Sequence, residues 1–228
     1  MLKVMTVNVP PMTKSGSVLR ESQVSDKQRL NLLVAKIQSV DAEIIFFLEE
    51  DPAIFEEVVA RLSGEYAFYY PQGFTRSWYA GVVVAIKKTL VNDHARLSEA
   101  PRDGTGIVSK SGKWQSVMVD GEVILAVHCP QPNDPDYADF RRKINQFSRD
   151  KAVTLVAGDW NPQAGTQVSL ADFQDVLPTD STTAFDTKLD YIFVRRGRKY
   201  QHVLLDKTCM TMGDNLFSDH AVTSVELN

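Results

Sequence analysis

Short apolar runs alternate along this chain with longer stretches whose apolar positions recur every three or four residues. Lys3 to Val9 predicts an opening strand, and Pro10-Pro11 through Gly16 a polar loop. From Ser25, Leu30, Leu33, Val34, Ile37 and Val40 keep the period of an amphipathic helix, with Ser25 and Gln28 spaced as a capping box. Ile44 to Leu48 is a continuous apolar strand ending on Glu49-Glu50. Asp51-Pro52 then supplies an N-cap and a first-turn proline for a helix whose Ile54, Phe55, Val58, Val59 and Leu62 share a face before Gly64 stops it. Strands are predicted at Tyr66 to Tyr70 and Gly81 to Ile86. Val117 to Val119 turns back through Asp120-Gly121 into Val123 to Val127, the signature of an antiparallel hairpin. Tyr137, Phe140, Ile144 and Phe147 mark another helix between Asp136 and Asp150. Val153 to Ala157 reads as a buried strand released at Gly158. A short helix is expected near Ser169 to Val176, then strands at Leu189 to Val194, around His202 to Leu205, and at Ala221 to Glu226. The pattern predicts a mixed-sheet α/β domain, residues 1–228 as one unit, in which helices cover apolar strands.

Composition narrows the class. Hydrophobic residues make up 43% of 228, enough for a sizeable core. The start of the chain lacks a charged leader followed by an apolar segment, and no apolar run approaches the ~20 residues a bilayer requires, so a soluble, cytoplasmic protein is expected. The two cysteines, Cys129 and Cys209, give neither a disulfide framework nor a four-ligand zinc site, which suits a reducing compartment. A formal net charge of -4 argues against a broad, non-specific grip on nucleic acid, while leaving a local basic groove open. Nothing in the sequence marks an obligate protein partner.

The polar residues at the strand ends carry the candidate chemistry. Asn8 ends the first strand and Glu49-Glu50 the second; His128 follows Ile124 to Val127; Asp159 and Asn161 follow Val153 to Ala157. Asp190 precedes Tyr191 to Val194, and Ser218-Asp219-His220 precedes Ala221-Val222. Groups of this kind are costly to bury without partners, and strand ends can converge on one cleft. Singly, each is also what a satisfied structural residue looks like. Gly158-Asp159-Trp160-Asn161 reads equally as a polar turn, and a His220-Asp190 bond could simply fasten the last strand.

Taken in order, Asn8, Leu48-Glu49-Glu50, His128, Gly158-Asp159-Trp160-Asn161, Leu189-Asp190-Tyr191-Ile192-Phe193-Val194 and Ser218-Asp219-His220 resemble the endonuclease/exonuclease/phosphatase superfamily, from residue 3 to residue 226. The resemblance implies a four-layer α/β sandwich, two packed mixed β-sheets with helices on the outer faces. Trp160 stands where the family usually has Phe or Leu. The metal glutamate, usually in Leu-Gln-Glu, falls on Glu50 if Glu49 takes the glutamine place; counting from Glu43 as the strand-opening acid selects Glu49 instead.

The same resemblance implies residue roles. Oxygen ligands without a thiolate suit Mg²⁺ or Mn²⁺, so Asn8, Glu50 and Asp219 would hold the metal, with Glu49 as the alternative to Glu50. Asp159 would orient or deprotonate the attacking water, Asn161 would hold a phosphate oxygen, and His220 paired with Asp190 would act as a base or charge stabiliser. His128 would donate to the scissile phosphate or the leaving oxygen. Cys129 is no partner for His128, because neighbours on a strand point to opposite faces. Arg195, Arg196, Arg198 and Lys199 lie beyond the far end of the Asp190 strand, as a solvated turn. The better substrate-binding candidates are Lys14, Arg20, Arg76 and Trp78, the stretch from Gln131 to Tyr137, and Met210 to Phe217. Trp78 could stack on a base or pack a loop.

The implied activity is a divalent-metal-dependent phosphodiesterase, a nuclease acting on DNA or RNA. A phosphatase or phospholipase acting on inositol phosphates or phospholipid head groups is the alternative enzyme, suggested by Glu50-Asp51-Pro52 and the acidic balance. A catalytically silent binding module on the same scaffold is the alternative of another class.

Overall fold

The structure, a computed structural model, describes residues 1–10, 24–49, 52–71, 81–102, 113–177, 181–210 and 216–228. The first sheet contains β1 (Leu2–Asn8), β2 (Ile44–Leu48), β3 (Tyr66–Tyr69), β4 (Val82–Lys87), β11 (Tyr200–Asp206) and β12 (Val222–Leu227), in the order β11-β12-β1-β2-β4-β3. The second contains β5 (Leu97–Arg102), β6 (Lys113–Val119), β7 (Glu122–His128), β8 (Val153–Asp159), β9 (Phe173–Asp175) and β10 (Asp190–Arg195), in the order β5-β6-β7-β8-β10-β9. Each sheet holds one parallel pair bridged by a helix. Helix α1 (Asp26–Val40) connects β1 to β2, and α4 (Tyr137–Asp150) connects β7 to β8. Helices α2 (Pro52–Leu62) and α3 (Lys88–Val91) complete the set among the described residues. No helix among them is long and apolar enough to cross a membrane.

Three apolar interfaces stack these elements into four layers. Side chains of alternating parity on each strand face opposite ways, and both faces of these strands are apolar. Val4, Phe46, Leu48 and Val84 of the first sheet meet Ile124, Ala126, Leu155, Ala157 and Ile192 of the second. The opposite parity, Met5, Val7, Ile45 and Phe47, packs against Leu33 and Ile37 of α1 and Phe55 and Val58 of α2. Leu125, Val127, Val156 and Phe193 likewise cover Phe140 and Ile144 of α4. Each fully buried side chain of this size contributes roughly 1.5–3 kcal/mol. A one-residue register slip would turn every one of them to the wrong face, so the register is fixed.

Local sequence chemistry accounts for the element boundaries. Ser25 Oγ accepts from the Gln28 amide while the Ser25 amide donates to Gln28 Oε1, the reciprocal box that starts α1. Asp120 and Gly121, with φ of 54° and 77°, form the two-residue turn between β6 and β7.

Two expectations need correction, and two elements were unannounced. No helix forms at 169–176: after a turn at 171–172, Phe173–Asp175 adds to the edge of β10 as a strand, with Phe173 buried among Val156, Tyr191 and Phe193. Strand β5 and the single-turn α3 carried no pattern that announced them. The basic turn after β10 does lie at the far end of the sheet, but Arg195 belongs to the fold. Its guanidinium sits 4.8 Å from the Phe173 ring centroid and donates to the carbonyls of Val153 and Ser148, each at 2.7 Å. Arg198 pairs with Glu122 at 3.0 Å.

Candidate active site

Strand register gathers the polar ends. His128 is the register partner of Asp159, and Asp159 of Asp190, so β7, β8 and β10 set three ionisable side chains side by side at one end of the second sheet. All three continue the inward parity, Ile124-Ala126-His128, Leu155-Ala157-Asp159 and Asp190-Ile192-Val194. In the first sheet Asn8 lies opposite Leu48, and Asn8 shares the inward parity of Val4. Ser218, Asp219 and His220 enter from the approach to β12, antiparallel to β1.

Glycine at 158 is dictated by this arrangement. Its φ is 139°, and a Cβ built there would lie 2.0 Å from the Val127 carbonyl oxygen. Only a residue without a side chain lets β7 and β8 approach closely enough to juxtapose His128 and Asp159.

The groups form one connected cluster. His220 Nδ1 and Asp190 Oδ2 are 2.9 Å apart, and both residues are buried. His128 Nε2 lies 3.6 Å from Glu49 Oε1 and 3.8 Å from Asp159 Oδ2. Glu49, His128 and Asp159 each bring a ligand atom within 4.8 Å of the others. Glu49 reaches this position from a left-handed backbone, φ 51°, just beyond the end of β2.

Asn161 also has a positive φ, 38°. Its amide donates to Asp159 Oδ1 at 2.9 Å, its Nδ2 donates to the Cys129 carbonyl at 2.9 Å, and its Oδ1 accepts from Gln131 Nε2 at 2.8 Å. Because a carbonyl can only accept, these bonds fix which end of the carboxamide is which, and one Nδ2 hydrogen remains for a ligand.

Burial and charge shift the titrating groups apart. Burial raises the Asp159 carboxyl to about 6, with Asp190 and Glu49 adding to the rise and His220 and His128 opposing it. For His220, burial works against the charged form, but Asp190, through its charge and hydrogen bond, together with Asp159 and Asp219, outweighs it and holds the imidazolium up to about 10. Cys129, fully buried on the opposite face of the chain from His128, is pushed well above its ordinary range, chiefly by burial, and is no nucleophile.

The donor set suits a hard divalent cation. Asn8 Oδ1 and Nδ2 and Asp219 Oδ1 are buried with no hydrogen-bond partner among the described residues. Buried polar atoms left so are costly, and unpaired carboxylate and carboxamide oxygens beside a carboxylate-rich cluster are the donors that Mg²⁺ or Mn²⁺ prefers. Glu50, Arg76, Trp78, Lys14 and Arg20 lie outside the described residues.

The site also uses residues that the sequence reading overlooked. Arg29 of α1 is fully buried and donates to the carbonyls of Phe217, at 2.7 Å, and Pro10, fastening the segments that bear Asp219 and Asn8. Thr182 Oγ1 accepts from the amides of Leu189 and Asp190, at 3.0 and 2.9 Å, and its carbonyl accepts from Ala221. Ser218, which the sequence did place beside Asp219 and His220, donates from Oγ to the Asn8 carbonyl at 2.8 Å and accepts from the His220 amide at 3.1 Å. Arg29 did leave a signal, since it stands four residues before Leu33 and eight before Ile37, on the buried stripe of α1. Thr182 left none.

The profile of the endonuclease/exonuclease/phosphatase family matches residues 15–220, a span that holds His128, the Gly158–Asn161 turn, Asp190 and the Ser218-Asp219-His220 run. The chain belongs to this family. Its members are metal-dependent phosphoester hydrolases. Solved structures agree in fold. D. rerio TDP2 complexed with single strand DNA product has a TM-score of 0.71 at 14% identity, over 100% of this chain and 98% of that one. The human Nocturnin catalytic domain with bound sulfate anion has a TM-score of 0.66 at 17% identity, over 100% and 94%. The endonuclease domain of TRAS1, a telomere-specific non-LTR retrotransposon, has a TM-score of 0.60 at 12% identity, over 100% and 98%. No curated protein sequence matches the chain. In this family member the inward-facing strand ends therefore sit on a fold shared with proteins whose structures hold a DNA product or a sulfate.

Proposed function

We propose that this protein is a divalent-metal-dependent phosphodiesterase that hydrolyses phosphodiester bonds of DNA or RNA. The observation that carries this reading is the register-aligned row His128, Asp159, Asp190 meeting His220, in which one carboxyl titrates near 6 and one imidazole near 10.

Those two values suggest a division of labour. A carboxylate titrating near 6 is mostly ionised at neutral pH yet basic enough to accept a proton from an attacking water, the compromise that general-base catalysis favours. Asp159 takes that role, held by the Asn161 amide. Nδ1–H of His220 bonds to Asp190, so Nε2–H is its remaining donor, and the imidazolium offers positive charge to the phosphorane-like oxygens. The remaining Nδ2 hydrogen of Asn161 contacts a phosphate oxygen, and Cys129 and Gln131 keep it aimed. His128 Nε2 lies between Glu49 and Asp159, placed to donate to the phosphate or the leaving oxygen.

Asn8, Asp219 and a carboxylate of the Glu49–Glu50 pair would hold Mg²⁺ or Mn²⁺, which neutralises charge on the phosphate. The nucleic-acid substrate finds support in the DNA product bound by the D. rerio relative.

The test compares wild type with H220A and D159N on supercoiled DNA, single-stranded RNA and a phosphoinositide panel, with Mg²⁺ and with EDTA. Metal-dependent cleavage of a nucleic acid, reduced about 100-fold or more in each variant, is the expected result. Unchanged activity in H220A would sink the assignment of the site. Exclusive turnover of the lipids would favour the phosphatase alternative, and no metal-dependent turnover the silent binding module. Mn²⁺ titrations of E49Q and E50Q identify which glutamate contributes.

A further inference from the structure

A groove of about 540 Å³ opens between the two segments that carry catalytic groups out of the second sheet. One wall is the 162–167 stretch that leaves Asn161; the other is the 186–189 stretch that leads into Asp190, with Tyr191 at its base. The walls are tied at the site end, where the Trp160 amide donates to the Leu189 carbonyl at 2.9 Å. Its volume falls in the range of small-ligand sites.

Both walls are built and not collapsed. The amide and Oγ1 of Thr166 donate to the Gln163 carbonyl, at 2.9 and 2.6 Å, and the Gln163 amide donates to Tyr137 Oη at 3.2 Å. On the other side the Thr187 carbonyl accepts from the amides of Thr182 and Thr183. The Thr187 hydroxyl is engaged by Thr183 Oγ1 at 2.6 Å, whereas the exposed side chains of Gln163 and Gln167 stay at the rim.

The charge of the lining selects the ligand. Lys188, the one cation among the described wall residues, has its ammonium on Asp175 Oδ2 and 4.8 Å from the Tyr191 ring centroid. Asp186 is exposed and contributes the only other formal charge among the described wall residues. Among the described wall residues a second phosphate would meet no uncommitted cation and one carboxylate. Amides and hydroxyls instead match the ring and carbonyl edges of an uncharged polar group.

We infer that this groove is a subsite for a nucleoside, the uncharged substituent carried by the phosphoester held at Asp159 and His220. The inference rests on the phosphodiesterase reading and adds to it the substituent that the enzyme recognises on one side of the scissile phosphate.

Calorimetric binding of thymidine 5′-monophosphate in EDTA reads the groove without turnover. Gln163→Ala and Gln167→Ala, on exposed side chains outside the His128, Asp159, Asp190 and His220 cluster, are each expected to weaken binding about fivefold, the worth of one hydrogen bond. With Mg²⁺, both variants should raise KM for thymidine 5′-(p-nitrophenyl) phosphate by the same factor at unchanged kcat, and leave bis(p-nitrophenyl) phosphate unaffected. Equal binding by wild type and both alanine variants, or no binding by wild type, would overturn the subsite. Failure of wild type to hydrolyse bis(p-nitrophenyl) phosphate would count instead against the phosphodiesterase reading.

Discussion

His220 shows how much one buried residue can set the behaviour of the rest. Its folded-state value of about 10 stands above the ordinary 6.5. The stability its proton contributes is fully present below 6.5 and is lost as pH rises through 10. Asp159 acts in the same direction lower down: raised from 3.8 to about 6, it binds a proton more tightly when folded, so stability falls as pH rises across that interval. Metal-free protein is therefore expected to lose stability from pH 6.5 to 10 more steeply than a His220→Gln variant, measured as urea midpoints in EDTA. Parallel pH profiles for the two would contradict the raised value. A bound divalent cation, by favouring ionised carboxylates, should shift the Asp159 interval downward.

At the scale of elements, helix α1 acts as a strut for the site through Arg29. Partners that orient metal ligands typically govern 10–100-fold in affinity. Arg29→Met keeps the apolar bulk but removes the bonds to Pro10 and Phe217, so it should weaken Mn²⁺ binding about tenfold, read by electron paramagnetic resonance, with Arg29→Lys recovering part of the loss. Metal affinity equal to wild type in the Met variant would reduce Arg29 to a packing residue. The elements themselves were largely legible, because strands buried on both faces are continuous apolar runs and α1 and α4 keep a clear helical period. What escaped depended on distant pairing. Phe173–Asp175 is a strand only because β10 offers it an edge and Phe173 fills a space under Arg195. Within the site, the residue types at the strand ends were visible, but their convergence required the register between strands. Arg29 and Thr182 bond to backbone atoms far away in sequence, and a bond to a carbonyl or an amide leaves no residue-type partner to search for.

At the scale of the whole molecule, the two sheets are built on the same plan, a strand, a crossover helix, a parallel strand and an antiparallel return: β1-α1-β2 with β4, and β7-α4-β8 with β10. The chain then exchanges edges. β5, from the first half, pairs with β6 in the second sheet, while β11 and β12 come back to lie beside β1 in the first. Neither sheet can form from one half alone. Unfolding is therefore expected to be a single transition, with far-UV circular dichroism and the fluorescence of Trp114 and Trp160, both on the outer face of the second sheet, coinciding in a Trp78→Phe background. Separated transitions would show that the sheets melt independently.

The same exchange has a consequence for when the enzyme is dangerous. Ser218, Asp219 and His220 arrive with the strand that closes the first sheet, and His220 meets Asp190 of the other sheet only when that strand is seated. A chain interrupted before Ser218, or clipped so that β12 is lost, forfeits sheet closure and the His220–Asp190 pair together. On the proposed assignment of the site, a molecule without β12 would hold no His220–Asp190 pair and would not cleave phosphoesters.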